Sequence, residues 1–385
     1  MSLDKTTATL QIFAIAGGWR GAGRQSGVGR GRGIQGMNDD EGCSASEQWS
    51  GAGERPTLKT IAFMTGLGVT TVSRALKDAP DISQETKERV RLVASQIGYY
   101  PNRAGVRLRT GKTNVISLIL NLSEELMGLT THIVYGISEI LANTSYHLIV
   151  TPYSADRDPM TPVRYILDTG SADGVILSST EPDDARIRLL TERNLPFVTH
   201  GRTDMGIAHP FHDFDNDSYA YEAVRRLTAN GRKRIAILEP MPRYTYHRHM
   251  RSGFARGLRD FGAEAAPFSD VYLDNSMNQI HKAALELFSG KGRVDGFIAG
   301  SSAGAVAIAS AAEALGLKIG EDLDMVSKQP ADLLRYMHPG IMTVNEDIRL
   351  AGRELAKAVL GRIEGVPPER LQSISMPDGS LVYPG

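Results

Sequence analysis

Early in the chain, apolar residues recur with the spacing of short α-helices. Thr57 is a suitable N-cap for a first helix that Gly66 ends, and a three-residue turn leads to a second helix at about 69–77. A third helix begins near Ser83 and stops at Gly98. The positions that can share a small core are Leu58, Ile61, Ala62, Met64, Val72, Ala75, Leu76, Val90, Val93, Ala94 and Ile97. The first two helices and their turn therefore predict a helix-turn-helix.

From residue 114 onward, strand-like apolar runs alternate with longer stretches of helical spacing. The runs are VISLIL, HLIVT, DGVILS, PFVTH, RIAIL, DGFIAG and LDMVS. This alternation is the βαβ pattern of parallel, doubly wound sheets. About 270 residues exceed what one such unit needs, so two subdomains with a cleft between them suit the length.

Charge is distributed unevenly along the chain. The 385 residues contain 43 Lys/Arg and 44 Asp/Glu, a net charge of -1. Residues 55–113 hold 11 basic and 4 acidic side chains, a net of +7, whereas residues 114–385 hold 27 and 34, a net of -7. A compact basic module joined to an acidic body is typical of a nucleic-acid-binding protein.

The first 54 residues have no pattern that builds a core. The stretch at 17–36 is rich in glycine and arginine, and such a segment cannot offset the entropy lost on ordering. Gly31, Gly33 and Gly36 match the dinucleotide-binding spacing, but no strand or helix pattern flanks them. We therefore expect a disordered leader, with Met37 as a candidate true start.

Other function classes lack their signals. Cys43 is the only cysteine, so neither an intramolecular disulfide nor a cysteine-based metal site is expected, and a reducing cytoplasm is the simplest location. No apolar run approaches the ~20 residues that cross a bilayer, and the short run at 10–16 lacks the basic leader of a signal peptide. No G-x-S-x-G or Walker sequence is present, so an enzyme, a cofactor and a metal are not expected. The pairs His209/His212 and His247/His249 are interpreted as surface or cleft histidines.

The stretch from Thr57 to Leu76, above all VTTVSRAL, resembles the helix-turn-helix of the LacI/GalR family of bacterial transcription repressors. The resemblance continues through IGYYPNRAGVRLRTGKTNVI, which is similar to that family's hinge and entry to the effector domain, and covers roughly 56–385. It implies an all-α helix-turn-helix DNA-binding domain at 56–100, a hinge helix and linker at 101–113, and an α/β two-lobed, periplasmic-binding-protein-like effector-binding and dimerisation domain with parallel sheets at 114–385, after a leader at 1–55.

A helix in the major groove needs small polar side chains near its N-terminus and a long donor that reaches a base edge. Thr70 and Arg74 meet this need, although an ordinary solvated helix face carries similar residues. The resemblance implies that Val69, Thr70 and Arg74 read bases and that Thr71 and Ser73 bind phosphates. The full set of expected DNA-binding residues is Thr57, Val69, Thr70, Thr71, Ser73, Arg74, Asn102, Arg103, Arg107 and Leu108.

The resemblance also implies a hinge helix at about 103–109, which Asn102 caps and which orders on the minor groove of the operator. Leu108 is its wedge between base pairs, or else a plain linker leucine. The basic residues near phosphates are Arg103, Arg107 and Arg109. Gly68 replaces the usual serine N-cap of the recognition helix, and Gly105 replaces a helix former, so the hinge should form poorly without DNA.

For the effector domain, the resemblance implies a first lobe at about 114–213 and a second at about 214–338. The chain then returns to the first lobe at Ile341 and ends in the second. Ligands in such folds bind between the lobes at strand C-termini.

The expected effector-binding residues are Ser178, Arg202, Asp215, Arg248, Ser301 and Gln329. Asp215 is equally well explained as the N-cap of the following helix. Met250 stands where the family commonly has a ligand-binding arginine, Ser301-Ser302 replaces Asn-Asp, and Lys328-Gln329 replaces an aromatic-Asp pair. The changed pocket indicates a different ligand or an altered way of holding a sugar.

These observations predict a cytoplasmic, homodimeric or tetrameric repressor of pseudo-palindromic operator DNA, controlled by a small molecule, most simply a sugar. A solute-binding protein of a transport system would explain the two-lobed body but not the +7 module. A sugar- or nucleotide-modifying enzyme would lack a catalytic constellation. No membrane partner is expected.

Overall fold

The structure, a computed structural model, describes residues 56–100, 107, 111–121, 129–153, 157–268, 270–330 and 332–377. The leader and the hinge residues Asn102, Arg103, Leu108 and Arg109 lie outside the described residues, so their expected roles stay predictions. In the described part of the chain, no helix is both long enough and apolar enough to cross a membrane.

The first folded part consists of three helices, α1 (Leu58–Thr65), α2 (Val69–Leu76) and α3 (Gln84–Gln96). Their shared core is that expected from the apolar spacing, and its fully buried members are Ile61, Val72, Ala75 and Val90. Met64, predicted to lie inside, is 50% exposed, because the buried face of the short α1 ends in Thr65 instead. Thr65 is accommodated there because its hydroxyl donates to Ile61 O at 2.7 Å.

Local capping fixes the ends of α1. The Thr57 Oγ1 accepts a hydrogen bond from the Thr60 N–H (3.3 Å), and the Thr60 Oγ1 accepts one from the Thr57 N–H (3.1 Å). This reciprocal pair satisfies two backbone donors that a helix start leaves free. Gly66 ends α1 with a left-handed φ of 66°. Thr57 is therefore an N-cap, as predicted.

The rest of the described chain alternates strands with helices. The strands are β1 (Val115–Asn121), β2 (His147–Tyr153), β3 (Gly174–Leu177), β4 (Phe197–His200), β5 (Phe211–Phe214), β6 (Arg234–Leu238), β7 (Glu264–Ala265), β8 (Gly296–Ala299), β9 (Asp324–Gln329), β10 (Met342–Asn345) and β11 (Gln372–Ser375). The helices are α4 (Leu129–Leu141), α5 (Met160–Thr169), α6 (Ala185–Glu192), α7 (Asn216–Ala229), α8 (Thr245–Phe261), α9 (Met277–Ser289), α10 (Ser302–Ala314), α11 (Leu334–Met337) and α12 (Ile348–Ile363), with a 3₁₀ turn at Pro368–Leu371.

The described strands pair in parallel in two sheets. The first sheet has the order β11-β5-β4-β3-β1-β2, and the second has the order β10-β9-β8-β6-β7. Helices pack on each sheet, and β3 and β8 are buried along their whole length, as expected for strands covered on both faces. The α/β two-lobed fold with parallel sheets is therefore confirmed.

The chain crosses between the lobes twice within the described residues. It leaves the first sheet at the end of β5 and enters α7, which packs on the second sheet. It returns between β10 and α12. The predicted return at Ile341 is wrong, because β10 pairs with β9 and so extends the second sheet to Asn345. The last described strand, β11, pairs with β5 in the first sheet, and residues 378–385, where the predicted end in the second lobe falls, lie outside the described residues.

Candidate nucleic-acid interface and effector cleft

Helix α2 presents a polar, solvent-facing surface. Val69, Thr70 and Arg74 are exposed, and Thr71 and Ser73 are half-buried. The opposite face of α2 packs into the three-helix core, and the helix contains no acidic residue. A rigid helix with small hydroxyl side chains and one long cation on its free face matches the requirements of major-groove recognition.

Arg74 is already held by a carboxylate of its own domain. Its Nη2 lies 2.5 Å from Asp81 Oδ2, and both side chains are about half exposed. Exposed ion pairs of this kind contribute less than about 1 kcal/mol. The guanidinium can therefore exchange Asp81 for a base edge at little cost. At the start of α2, the N-cap residue Gly68 makes no side-chain hydrogen bond, as expected for glycine.

Arg107 is the described residue of the predicted hinge helix. Its Nη2 donates a hydrogen bond to Thr169 O at the end of α5 (2.7 Å), and its own carbonyl accepts from the Gly111 N–H (2.8 Å). The side chain thus contacts the effector domain in this structure. A contact from Arg107 to DNA phosphate stays a prediction.

The start of α8 touches the opposite lobe. The Thr245 N–H and hydroxyl both donate to Thr180 O, which follows β3, at 2.9 and 3.2 Å. One turn later, Arg248 forms an exposed ion pair with Asp204 of the first lobe at 2.9 Å. The first turns of α8 therefore lie where the carboxyl ends of the two sheets meet, which is the ligand-binding position in open parallel α/β folds.

A charged group from the first lobe faces this part of α8. Arg202 Nε donates to Asp213 Oδ2 at 2.6 Å, and Asp213 is buried. His249 Nδ1 lies 4.0 Å from the same carboxylate oxygen, beyond hydrogen-bond distance, and is a buried atom without a hydrogen-bond partner among the described residues. The carboxylate of Asp213 therefore binds Arg202 of its own lobe directly, whereas His249 of the second lobe only approaches it.

Tyrosines line the same region. The rings of Tyr244 and Tyr246 are stacked, with centroids 5.7 Å apart and an interplanar angle of 18°. Arg243 Nη2 donates to the Tyr244 hydroxyl at 2.7 Å. From the first lobe, Tyr153 accepts a hydrogen bond from Arg186 at 3.5 Å. Burial raises the pKa of Tyr153 and Tyr246, so both rings stay neutral and keep a hydroxyl donor.

A buried lysine contacts both segments in which the chain passes from one lobe to the other. Lys328 Nζ, at the end of β9, lies 2.9 Å from Glu346 Oε2 and donates to Asn216 Oδ1 at 2.8 Å. The ammonium also lies 5.0 Å from the ring centroid of Phe214 and 5.7 Å from that of Tyr219. Burial acts to raise the pKa of Glu346, but Lys328 outweighs it and holds the pKa below its usual range. Glu346 is therefore present as a carboxylate beside the Lys328 Nζ.

Three of the four histidines in the two predicted pairs are buried, and His249 is partly exposed beside the cleft. His209 and His212 are 3% and 4% exposed, and His247 is 8% exposed with its Nε2 3.3 Å from Glu239 Oε2. The expectation of surface or cleft positions is therefore wrong for His209 and His212: His212 lies on β5 and contacts Ser373 and Ser375 of the neighbouring strand, and His209 lies just before β5, stacked on Phe197. Among the described residues, no cluster of three or more potential metal ligands occurs.

Comparison with known families agrees with this architecture. Residues 114–373 match the periplasmic binding proteins and sugar binding domain of the LacI family, and residues 57–102 match the bacterial regulatory proteins of the lacI family. The chain belongs to the LacI family. Its two matched segments coincide with the three-helix domain and the two-lobed body.

Curated relatives of this LacI-family chain are transcription regulators. AglR of Rhizobium meliloti (strain 1021) is 30% identical over 336 residues, covering 81% of this chain and 90% of AglR. RafR of Escherichia coli is 30% identical over 335 residues, covering 86% of this chain and 97% of RafR. Both are HTH-type transcriptional regulators, which favours a DNA-binding regulator over the alternative of a solute-binding transport protein.

Solved LacI-family structures share the fold. The complex of the regulator CelR with cellobiose superposes with a TM-score of 0.62 at 25% identity, covering 84% of this chain and 98% of that chain. The lac repressor dimer bound to operator and the anti-inducer ONPF gives a TM-score of 0.72 at 19% identity, covering 84% and 97%. The second likeness shows the fold alone.

The residues predicted to bind effector in this LacI-family chain all have internal partners. Asp215 caps α7, with its Oδ1 accepting from the Ser218 N–H at 3.0 Å, and Ser301 caps α10, with its Oγ accepting from the Gly304 N–H at 3.2 Å. The Gln329 amide donates to Asp332 and Asn345. The remaining three are Ser178, which donates weakly to Ile119 O, and Arg202 and Arg248 in the ion pairs above. Their effector contacts stay predictions.

Sequence reasoning missed the residues that the fold brings to the cleft. Tyr244, Tyr246 and Asp274 lie in loops and a helix start after β6 and β7, where no periodic pattern marks them. The signal was present in part, since three aromatic and cationic residues precede His247 in the stretch RYTYH. A cluster of tyrosines just after a predicted strand in such a fold is the feature that could have indicated them.

Proposed function

We propose that this LacI-family protein is a homodimeric repressor that binds pseudo-palindromic operator DNA in the cytoplasm and whose operator affinity is controlled by a sugar bound between the lobes. The observation that carries the proposal is the free face of α2, where Val69, Thr70 and Arg74 are exposed on a helix without acidic residues. Two such helices, one per subunit, would read two half-sites. The CelR–cellobiose complex supports a sugar as the ligand class.

DNA recognition is tested by fluorescence anisotropy of the full chain with promoter fragments from its own gene and the neighbouring operon, at fixed moderate salt. Arg74→Ala should weaken operator binding by about 1 to 3 kcal/mol and relax specificity at one base pair. The matched control is Arg91→Ala, which removes an exposed arginine of α3 that also pairs with an aspartate, Asp78, at 2.9 Å. Arg91→Ala should leave specificity unchanged.

Two outcomes would contradict this assignment. If Arg74→Ala lowered affinity equally for operator and random DNA, Arg74 would contact phosphate rather than a base. If the wild-type chain bound no promoter fragment in a sequence-specific way, with or without sugars, the repressor function would be wrong.

Effector control is tested by thermal shift and then by coupling to DNA. A ligand at about 100 times its Kd adds about 2.7 kcal/mol of stability, so a sugar screen has a clear readout. The sugar that stabilises the protein should change operator affinity by about 5- to 150-fold, and operator should change sugar affinity by the same factor. The direction of that change distinguishes an inducer from a corepressor.

A further inference from the structure

Asp274 carries a carboxylate oxygen that the fold buries without pairing it. Among the described residues, its Oδ2 is a buried atom with no hydrogen-bond partner. Buried polar atoms are nearly always hydrogen-bonded, so one that is not calls for a functional explanation. Burial raises the pKa of Asp274, against smaller opposing effects of Arg243 and of the Met241 and Asp274 backbone N–H groups near the carboxylate.

The position of Asp274 is at the cleft. Its neighbour Leu273 donates its N–H to Glu239 O (2.9 Å), directly after the end of β6. Asp274 therefore lies at the carboxyl edge of the second sheet, beside the loop that leads to Tyr244 and Tyr246. The charges of Asp274 and Glu346 both act on Tyr246 and raise its pKa. Tyr246 is thus near both Asp274 and Glu346, the latter in the crossover that returns to the first lobe.

Five cations in and around this cleft have carboxylate partners, whereas Arg243 donates to the Tyr244 hydroxyl. The pairs are Arg186–Asp184 (2.6 Å), Arg202–Asp213 (2.6 Å), Arg248–Asp204 (2.9 Å), Arg251–Glu239 (3.3 Å) and Lys328–Glu346 (2.9 Å). A phosphate or carboxylate group that bound one of these five cations would have to displace its carboxylate partner. A hydroxyl group, in contrast, can donate directly to the unpaired oxygen of Asp274.

We propose that Asp274 is a specificity-determining residue of the effector site, which accepts a hydrogen bond from a hydroxyl of an uncharged, polyhydroxylated ligand packed beside the Tyr244–Tyr246 pair. This assignment rests on the proposed function and narrows its ligand to unphosphorylated sugars. Asp274 rejects a phosphorylated sugar at the same position, because two anions would be buried together. The neutral tyrosine pair supplies an apolar surface and hydroxyl groups for the rest of the ligand.

The test uses the full chain and a panel of cellobiose, maltose, raffinose, trehalose and trehalose 6-phosphate. Isothermal titration should find binding of at least one neutral sugar, and Asp274→Asn should raise its Kd by about 10- to 100-fold, the loss of one charge-assisted hydrogen bond. Trehalose 6-phosphate should bind the wild type more weakly than trehalose. The ligand-free Tm of Asp274→Asn should be unchanged or higher, because the variant no longer buries an unpaired charge.

The matched control is Asp270→Asn, which changes an exposed aspartate in the same segment and should leave sugar binding unaltered. Wild-type Kd in Asp274→Asn, or tighter binding of the phosphate ester than of trehalose, would overturn the assignment. Operator binding by the wild type together with no binding of any neutral sugar would also overturn it while leaving DNA recognition intact. Absence of specific operator binding would count against the proposed function instead.

Discussion

Single buried side chains in this protein have properties that their sequence neighbours do not reveal. His212 Nδ1 pairs with the Ser373 hydroxyl at 2.9 Å, and its Nε2 pairs with the Ser375 hydroxyl at 3.0 Å. Its ring stacks with that of His200 at 6.4 Å. Burial lowers the pKa of His212 to about 4, and His200 adds to the effect. Sequence reasoning considered this histidine only as half of an H-x-x-H pair, because Ser373 and Ser375 are more than 160 residues away.

The lowered pKa predicts a loss of stability in acid. With an unfolded-state pKa near 6.5 and a folded-state pKa of about 4, the unfolded chain binds more protons between these values, so this contribution is complete above pH 6.5 and is lost as the pH falls towards 4. The loss reaches about 3 kcal/mol. His212→Gln should therefore show a shallower decline of unfolding free energy than the wild type, measured by urea denaturation from pH 7 to pH 5. His147→Gln, at an exposed position, should decline like the wild type, and an equal slope in His212→Gln would contradict the prediction.

At the scale of elements, glycines set how closely helices approach. Helices α4 and α12 cross at Gly136 and Gly352: a Cβ on Gly352 would lie 2.4 Å from Ile133 O, and one on Gly136 would lie 2.1 Å from Arg349 O. Arg349 and Arg353 pair with Glu139 beside the crossing. From sequence, glycine inside a helix is only a cost of about 1 kcal/mol. In the structure, this cost is offset because the glycines let the two helix backbones come into direct contact.

Gly352→Ala should destabilise the protein by about 1 to 3 kcal/mol, because the clash is with backbone and exceeds the gain in helix propensity. Gly361→Ala in the same helix is the control, since the atoms nearest its Cβ would be in side chains, first Leu371 at 3.0 Å and then Val366 at 3.7 Å. The Leu371 side chain can move, so the control should be near neutral. Urea titration measures the unfolding free energy of both variants. A Gly352→Ala variant as stable as the wild type would contradict the prediction, because the two helices would then separate without cost.

Most strands could be predicted, and two of the exceptions, β5 and β11, have separate physical causes. Seven apolar runs became β1, β2, β3, β4, β6, β8 and β9. Strand β5, with the sequence FHDF, was missed because His212 and Asp213 occupy two of its four positions. These side chains are tolerated inside only because Ser373, Ser375 and Arg202 pair with them. Strand β11, QSIS, lies at a sheet edge, where little apolar patterning is required.

At the scale of the whole molecule, the lobes are connected by a buried ion pair. Lys328 of the second sheet contacts Asn216 at one crossover and Glu346 at the other, so one ammonium touches both connections between the lobes. Removing one partner of a buried pair leaves an uncompensated charge in the interior. The lysine that marks a departure from the family pattern in the sequence is therefore a structural link in the fold.

Lys328→Met should lower the unfolding free energy by about 3 to 5 kcal/mol, whereas Lys318→Met, which breaks the exposed pair with Glu321, should cost less than about 1 kcal/mol. The double variant Lys328→Met with Glu346→Leu should recover part of the loss, because no charge is left buried alone. Calorimetry or urea denaturation measures the unfolding free energy of all three variants. If Lys328→Met and Lys318→Met lowered the unfolding free energy equally, the buried Lys328–Glu346 pair would contribute no more to stability than an exposed pair, and the prediction would be wrong.

The sequence alone determined the helix-turn-helix, the division into a basic head and an acidic body, and the parallel α/β architecture. These follow from local periodicity, capping residues and composition, which act between residues close together in the chain. The tertiary structure decided the return of the chain after β10, the burial of His209 and His212, and the gathering of Asp213, Tyr246, His249 and Asp274 at one cleft. Those features depend on contacts between residues tens to more than a hundred positions apart, whose energies exist only once both sheets have formed.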